Sequence, residues 1–234
     1  VNQTYRKSDF LIENGIFDGY CGKEQIRELH IPDGVTKVRA IYGENLQYLS
    51  RLVIPASVEK INLQELQSLS LEEIVVNNSN KVYYSREGVL FRYGASYPVE
   101  GFKNSDTIIH DDTKDTLLLY PCNRKTSFYK VPDNIARIAS EAFSDAQLEY
   151  ITLPSSLKSI GDGAFSYCDN LTELDIPDGV RKLGDDCVFE CPKLKSLSMP
   201  FINHKRTPCP KIDVDEFMLR VSDLRTEIDR NEFK

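Results

Sequence analysis

The amino-acid sequence predicts a solenoid of stacked coils, each of which opens with a strand that buries one face. One segment recurs at residues 147–154, 171–177 and 194–200, and its closing prolines lie 23 residues apart. A fixed period of roughly 20 to 50 residues is the signature of repeat architectures. Within each copy the apolar positions alternate, which is the pattern of a half-buried strand.

The repeat extends towards the N-terminus when its closing residue is taken as an anchor. The anchors are Pro32, Pro55, Asn77 in place of proline, Pro132, Pro154, Pro177 and Pro200. Residues one and three before each anchor are apolar, which predicts a strand with one buried face. These residues are Leu29, Ile31, Leu52, Ile54, Ile74, Val76, Tyr129, Val131, Ile151, Leu153, Leu174, Ile176, Leu197 and Met199.

The later coils also carry a small residue followed by a larger apolar one. The pairs are Ala142-Phe143, Ala164-Phe165 and Cys187-Val188. A small residue lets two backbone layers approach, and the larger one fills the coil interior. Cys168 and Cys191 share the position before the next strand, so the strand spacing of about 4.8 Å would permit a disulfide between them. Because Ala146 fills the same position, we favour buried free thiols.

The combined pattern, Leu-x-x-Leu-x-Ile-Pro-x-x-Val-x-x-Ile-Gly-x-x-Ala-Phe-x-x-Cys, resembles the BspA-like, or Treponema pallidum-type, leucine-rich repeats. Its clearest copy is residues 148–168, and the resemblance covers about residues 9–200. Residues 41–43 and 63–66 replace the Ala-Phe-x-x-Cys element in the first half. The resemblance implies a bacterial protein, often secreted or at the cell surface, that is implicated in adhesion and carries no shared catalytic motif.

We therefore predict a right-handed leucine-rich-repeat solenoid, α/β to mainly β, over residues 1–212. It should contain about six to seven coils with a continuous strand face. Asn14 and Gly15, flanked by apolar runs, predict a type I′ turn in a hairpin at residues 9–20. This hairpin is expected to cover the N-terminal end of the solenoid core.

Two segments depart from the repeat. The period breaks in the middle of the chain, which predicts a hairpin insertion at residues 81–121 with a loop at 92–115. Insertions in solenoids often carry the binding surface. Residues 213–234 predict a helix from their 3.6-residue spacing, with Asp213 and Glu216 as a capping box. This helix either caps the last coil or pairs with a partner or a second copy.

Composition argues against several classes of function. The net charge of −7 disfavours a nucleic-acid partner, which would need a basic surface. No apolar run approaches the roughly 20 residues of a membrane span. The compartment is left open, with a cell-surface or secreted location favoured over a cytoplasmic one because of the family resemblance.

The sequence predicts no catalytic residue, no metal site and no cofactor. None of the three histidines is placed with a nucleophile. Ser155 and Lys158 have the S-x-x-K spacing of penicillin-recognising enzymes, but they align with turn residues of the other coils. The acidic pairs at residues 111–112 and 185–186 do not resemble an EF-hand loop. An enzyme is therefore not predicted.

The remaining candidate site is the outward surface of the strands, which successive coils of a solenoid align into one face. Phe128 and Tyr150 fall side by side on it, and exposed aromatic residues are typical of interface hot spots. We predict a protein partner; the alternatives are cross-strand packing alone, a carbohydrate-binding surface, and self-association through the C-terminal helix. The candidate partner-binding residues are Arg51, Val53, Val75, Phe128, Lys130, Tyr150, Thr152 and Glu173.

Overall fold

The computed structural model describes residues 7–94 and 114–199. Short strands, mostly parallel, stack along these residues, and their helical content is a single five-residue helix and a short 3-10 turn. The predicted fold class, a mainly β leucine-rich-repeat solenoid, is confirmed. Two predicted segments lie outside the described residues, namely the helix at 213–234 and most of the insertion loop, 95–113.

The described residues divide into two compact units. The first unit begins with a hairpin, and its coil strands β3, β5 and β7 pair in parallel in that order. A second sheet of this unit has the order β1-β2-β4-β6, with β1 and β2 antiparallel. The elements of the first unit, residues 7–93 and 117–124, are β1 (Phe10–Glu13), β2 (Ile16–Tyr20), β3 (Glu28–His30), β4 (Lys37–Tyr42), β5 (Arg51–Ile54), β6 (Lys60–Ile61), α1 (Leu63–Gln67), β7 (Glu73–Val76), β8 (Tyr83–Arg86), β9 (Val89–Arg92) and most of β10 (Asp115–Leu119).

The N-terminal hairpin has the turn that its sequence predicts. Asn14 and Gly15 have φ angles of 51° and 76°, as a type I′ turn requires, because both central residues must adopt positive φ. The strands β1 and β2 pair through Glu13 and Ile16 on either side of this turn. The role of the hairpin as a cap stays a prediction.

The start of the predicted insertion also forms a hairpin, from β8 and β9. Its turn lies beside β7, because the N–H of Ile74 donates to the carbonyl oxygen of Gly88 at 2.9 Å. The chain returns to the same unit after the insertion, where the N–H of Asn123 donates to the carbonyl oxygen of Leu71 at 2.9 Å. The insertion therefore begins and ends within the hydrogen-bonding pattern of the coils.

A buried asparagine fixes the entry to this hairpin. The side-chain amide of Asn80 donates to the carbonyl oxygens of Pro55 at 3.0 Å and Val58 at 2.9 Å. Its side-chain oxygen accepts from the N–H groups of Val82 and Tyr83, both at 2.8 Å. All hydrogen-bonding capacity of this buried amide is thus used inside the first unit, as a buried polar group requires.

The second unit, residues 94, 114–116 and 125–199, repeats one coil with little variation. One sheet has the parallel order β11-β13-β15-β17, and the other has the parallel order β12-β14-β16. Equivalent residues of successive coils therefore stand next to each other. The strands are β11 (Phe128–Lys130), β12 (Ile135–Ile138), β13 (Tyr150–Thr152), β14 (Ser159–Ile160), β15 (Glu173–Asp175), β16 (Lys182–Leu183) and β17 (Ser196–Ser198).

The core of each unit consists of the apolar positions that the repeat predicts. All fourteen residues located one and three before the anchors are buried. Ala142 and Ala164 are also buried, and the Phe143 and Phe165 rings stack with their centroids 5.2 Å apart. The predicted arrangement, with a small residue at the backbone contact and a large one inside the coil, is confirmed for these pairs.

The turn that carries this pair is held by hydrogen bonds between coils. The N–H of Phe143 donates to the carbonyl oxygen of Ala164, and that of Phe165 to Cys187, both at 2.8 Å. Two residues in each such turn have left-handed φ angles, which cost an L-amino acid about 1–2 kcal/mol. They are Glu141 and Asp145 in one coil, Gly163 and Tyr167 in the next, and Asp186 and Glu190 in the third. Because all three coils share this conformation, it is a property of the repeat.

Glycine is required where β14 and β16 end, at Gly161 and Gly184. A Cβ atom on Gly184 would lie 2.2 Å from the backbone nitrogen of Asp162, and one on Gly161 would lie 2.4 Å from that of Ser140. No real Cβ contact is this short. The Ile-Gly pair of the repeat therefore exists because the backbones of two coils meet there.

We expect Gly184→Ala to destabilise the second unit by about 1–3 kcal/mol, since the added methyl group must push two backbones apart. The measurement is the urea midpoint of unfolding. Gly34→Ala is the control, because a Cβ at Gly34 meets no atom within 4 Å and only the cost of its positive φ remains. An unchanged urea midpoint for Gly184→Ala would show that the close approach at Gly184 has no energetic effect.

The cysteines of the second unit are free, buried thiols, as predicted. Cys168 donates its S–H to the carbonyl oxygen of Phe143 at 3.2 Å, and Cys191 donates to that of Phe165 at 3.1 Å. The neighbouring Cys191 thiol and burial hold the pKa of Cys168 well above its usual range. Burial raises the pKa of the Cys187 thiol from 9.0 to about 12. Cys168 and Cys187 therefore stay protonated in the folded protein at neutral pH.

This pKa difference makes stability depend on pH. Between about pH 9 and about pH 12 the unfolded chain loses the Cys187 proton while the folded chain keeps it. The free energy of unfolding should then fall with rising pH, with about 1.4 kcal/mol per pH unit from this group. The measurement is the free energy of unfolding, from urea titrations between pH 8 and 10.5, and it should decline less steeply for Cys187→Ala. Alanine fits this position, because Ala142 and Ala164 are buried at the equivalent position of two other coils. Parallel declines would contradict the assignment.

Candidate functional site

The outward residues of the second-unit sheet form a surface that we call the second-unit strand face. Its strands are in register, so Phe128 pairs with Tyr150, and Tyr150 pairs in turn with Glu173. A second row lies two residues further along each strand, where Lys130 pairs with Thr152. The five candidate residues of this unit are thus brought together on three neighbouring strands.

The two aromatic side chains of this face are exposed. Phe128 is 55% and Tyr150 is 47% accessible to solvent, whereas Tyr129 and Ile151, which follow them in the chain, are buried. The alternation of a strand accounts for this contrast, because successive side chains point to opposite faces. The exposure leaves about half of each aromatic side chain available to a partner.

The two charged candidate residues of the second-unit strand face differ in their ion pairs within the described residues. The Lys130 ammonium lies 3.8 Å from the Asp133 carboxylate in the following turn. Among the described residues no ion pair involves Glu173, which is exposed beside Tyr150. This face therefore presents an exposed carboxylate next to an aromatic pair.

The outward residues of β3, β5 and β7 form the first-unit strand face. Here the Arg51 guanidinium lies between two carboxylates, with Nη1 3.0 Å from Glu28 and Nε 2.9 Å from Glu73. His30 contacts the same Glu28 carboxylate at 2.7 Å. Val53, which pairs with both His30 and Val75, is half-buried, as is Val75. Arg51, Val53 and Val75 thus share a face, but two carboxylates of the chain already contact the Arg51 guanidinium.

Several exposed aromatic residues were missed because the sequence prediction considered only the strand face. Tyr42 and Tyr48 are each 56% exposed in the first unit, and Tyr167 is 49% exposed in the second. Tyr167 has a detectable signal, since it aligns with Asp145 and Glu190 at the left-handed turn position. No comparable signal marks Tyr42 or Tyr48.

The residues that suggested alternative chemistry have structural roles. The backbone N–H of Asp185, from the acidic pair at residues 185–186, donates to the Asp162 carboxylate at 2.8 Å, so this pair takes part in a link between two coils. The Ser156 hydroxyl, next to the S-x-x-K serine, donates to the carbonyl oxygen of Ile135 at 2.6 Å. Over residues 7–94 and 114–199 no group of three or more His, Cys, Asp or Glu side chains could hold a metal ion.

The arrangement of the two faces shows which chemistry is available. Each offers side chains on an in-register parallel sheet and places no nucleophile beside a base in the residues named above. A sheet face with exposed aromatic residues suits association with another macromolecule. In the described part of the chain no helix is long and apolar enough to cross a membrane.

The repeat pattern also matches a known family model. A model described as a BspA-type leucine-rich repeat region matches residues 11–88 and 119–206, in six copies. The chain belongs to the BspA-type leucine-rich-repeat family. Six copies agree with the predicted six to seven coils, and the family is a repeat scaffold, not an enzyme family. No curated protein matches the chain.

Solved structures from other bacteria are similar to the chain. The chain is similar to a leucine-rich repeat protein from Eubacterium ventriosum, at 24% identity and a TM-score of 0.55, over 73% of this chain and 41% of that one. It is also similar to the pneumococcal vaccine antigen PcpA, at 21% identity and a TM-score of 0.48, over 76% of this chain and 52% of that one. The chain thus spans about half the length of these structures. At such identities the likeness concerns the fold alone.

The double variant Phe128→Ala/Tyr150→Ala should remain folded, because both side chains are already half exposed. We expect a loss of less than about 1 kcal/mol in the free energy of unfolding. Ile151→Ala, one residue further along the same strand, should lose about 2–5 kcal/mol because it leaves a cavity. Urea unfolding followed by circular dichroism measures both. A large loss in the double variant would mean that the aromatic pair serves mainly to stabilise the sheet.

Proposed function

We propose that this BspA-type chain is a non-enzymatic protein-interaction module that binds its partner through the second-unit strand face. The observation that carries the proposal is the exposed aromatic pair, Phe128 and Tyr150, in register on adjacent parallel strands. Aromatic side chains contribute large contact areas at low entropic cost and dominate interface energetics. Lys130, Thr152 and Glu173 surround the pair and would supply the polar part of the contact.

Sheet packing alone accounts poorly for this pair. Cross-strand aromatic neighbours that stabilise a sheet shield each other from water, whereas Phe128 and Tyr150 remain about half exposed. The buried rings of the same unit behave differently, since Phe143 and Phe165 stack at 5.2 Å. The contrast favours a role for the outward pair in contact with another molecule.

The first-unit strand face is a second candidate patch, formed by Arg51, Val53 and Val75. Arg51 already forms ion pairs with two carboxylates of the chain. This pairing lowers the free energy that a partner could gain by binding Arg51. The half-buried valines offer apolar area without an aromatic anchor. We therefore place the main contact on the second-unit strand face.

The finer form of the proposal is an adhesion protein at the bacterial surface or secreted from the cell. It rests on membership of the BspA-type family. A carbohydrate partner is the competing function that the aromatic pair favours, because aromatic rings also stack on sugars. Self-association through residues 213–234 stays a prediction from the sequence.

The test is a pull-down from bacterial and host surface extracts with wild type and with Phe128→Ala/Tyr150→Ala. We expect the affinity of a captured protein to fall at least about tenfold in the double variant, since each anchor should contribute more than about 1 kcal/mol. Tyr42→Ala/Tyr48→Ala is the matched control, because both tyrosines are exposed in the first unit to a similar extent. Capture that is unchanged in the double variant, or equally weakened in the control, would contradict the proposed site.

A further inference from the structure

We infer that the second-unit strand face recognises a cationic side chain of its partner, an arginine above all, which lies over Tyr150 with its charged group at Glu173. This inference rests on the proposed function and specifies its partner. It commits to a protein segment that carries arginine among small or apolar residues. Its support comes from the order of residues along the face, from the charges near Glu173, and from a matching arrangement elsewhere in the chain.

The order of residues places an aromatic ring directly beside a carboxylate. Tyr150 pairs in register with Glu173 on the neighbouring strand, and Phe128 pairs with Tyr150 on the other side. Neighbouring strands lie about 4.8 Å apart, so a side chain that rests on the Tyr150 ring can reach the Glu173 carboxylate. A ring face and a carboxylate at this separation both attract a cation.

The first-unit strand face shows how this chain itself satisfies such a carboxylate. Glu28, Arg51 and Glu73 occupy the same outward strand position in three successive coils, and the Arg51 guanidinium forms ion pairs with both carboxylates, at 3.0 and 2.9 Å. In the second unit the equivalent neighbours of Glu173 are Tyr150 and Ser196. The position that an arginine occupies beside Glu73 is thus held by an aromatic ring beside Glu173.

The other charges of the second-unit strand face leave Glu173 available. Lys130 pairs with Asp133 in its own turn, and no ion pair joins Lys195, which precedes Ser196, to Glu173 in the described residues. Asp175, on the same strand as Glu173, and Glu149, which directly precedes Tyr150, add negative charge. The whole chain carries a net charge of −7, which favours the approach of a cationic partner.

Arginine fits this site better than lysine. Its planar guanidinium stacks on an aromatic ring and forms two parallel hydrogen bonds with a carboxylate, whereas the lysine ammonium is a strongly hydrated point charge. Its aliphatic stem would lie along Phe128 and Tyr150 and cover the exposed aromatic area. One arginine side chain therefore uses both features of the face.

The test uses the full chain and two capped heptapeptides in which glycine alternates with either arginine or neutral citrulline. Calorimetric titration at low salt should show at least about tenfold tighter binding of the arginine peptide to wild type, because charge-assisted hydrogen bonds are roughly twice as strong as neutral ones. Glu173→Gln and Tyr150→Leu should each remove most of this preference. Glu141→Gln is the control, since it removes one exposed carboxylate of the same unit away from the face.

The inference is overturned if wild type does not distinguish the two peptides, or if Glu141→Gln reduces the preference as much as Glu173→Gln. Binding of neutral cellohexaose or chitohexaose that requires Tyr150, without an arginine preference, would also overturn it in favour of a carbohydrate surface. A captured protein that depends on Phe128 and Tyr150 but not on Glu173 would overturn this inference and leave the proposed function intact. A captured protein that depends on none of them would overturn both.

Discussion

The hydrogen bonds between successive coils are the constraint on which the structure of each unit depends. Each coil donates backbone N–H groups to the next one, as Phe143 does to Ala164 and Phe165 does to Cys187. A ladder of this kind needs equivalent residues at equal spacing, so the 22- or 23-residue period follows from it. The small residues, the left-handed turn positions and the glycines at the strand ends all allow the backbones to come close enough for these bonds.

The same register determines what the surfaces can offer. Because equivalent positions stand beside each other, the neighbours of an outward side chain are the residues at the same position in the adjacent coils. In the first unit this produces a row in which Arg51 bridges Glu28 and Glu73. In the second unit the corresponding row reads Phe128, Tyr150, Glu173. Two faces with one backbone geometry therefore differ completely in their chemistry.

The sequence predicts the parts of the structure that depend on spacing. The inward positions, the turn at Asn14 and Gly15, and the outward placement of the candidate residues all follow from the period and from φ preferences. The pairing of Arg51 with two carboxylates could also have been predicted from the sequence, since all three residues align in the repeat. It was missed because charge pairing between coils was not considered.

Other features depend on interactions that a single sequence does not display. The five-residue helix Leu63–Gln67 replaces the usual turn of its coil, and its sequence resembles neither the repeat nor a long amphipathic helix. Asn80 belongs to a run of polar residues at 77–81 that carries no sign of burial, yet it is buried with four hydrogen bonds. Such roles arise from tertiary contacts, which override local preference.

The hydrogen bond between Asn123 and Leu71 has a consequence for how the first unit folds. Most bonds between coils close segments of 22 or 23 residues, whereas this bond closes a segment of 52 residues. Loop-closure entropy rises by about 0.6 kcal/mol for each doubling of length, so the longer segment costs only about 0.7 kcal/mol more than a coil. The insertion thus interrupts the sequence period at a small entropic cost, and coils on its N-terminal side can form before residues beyond it join them.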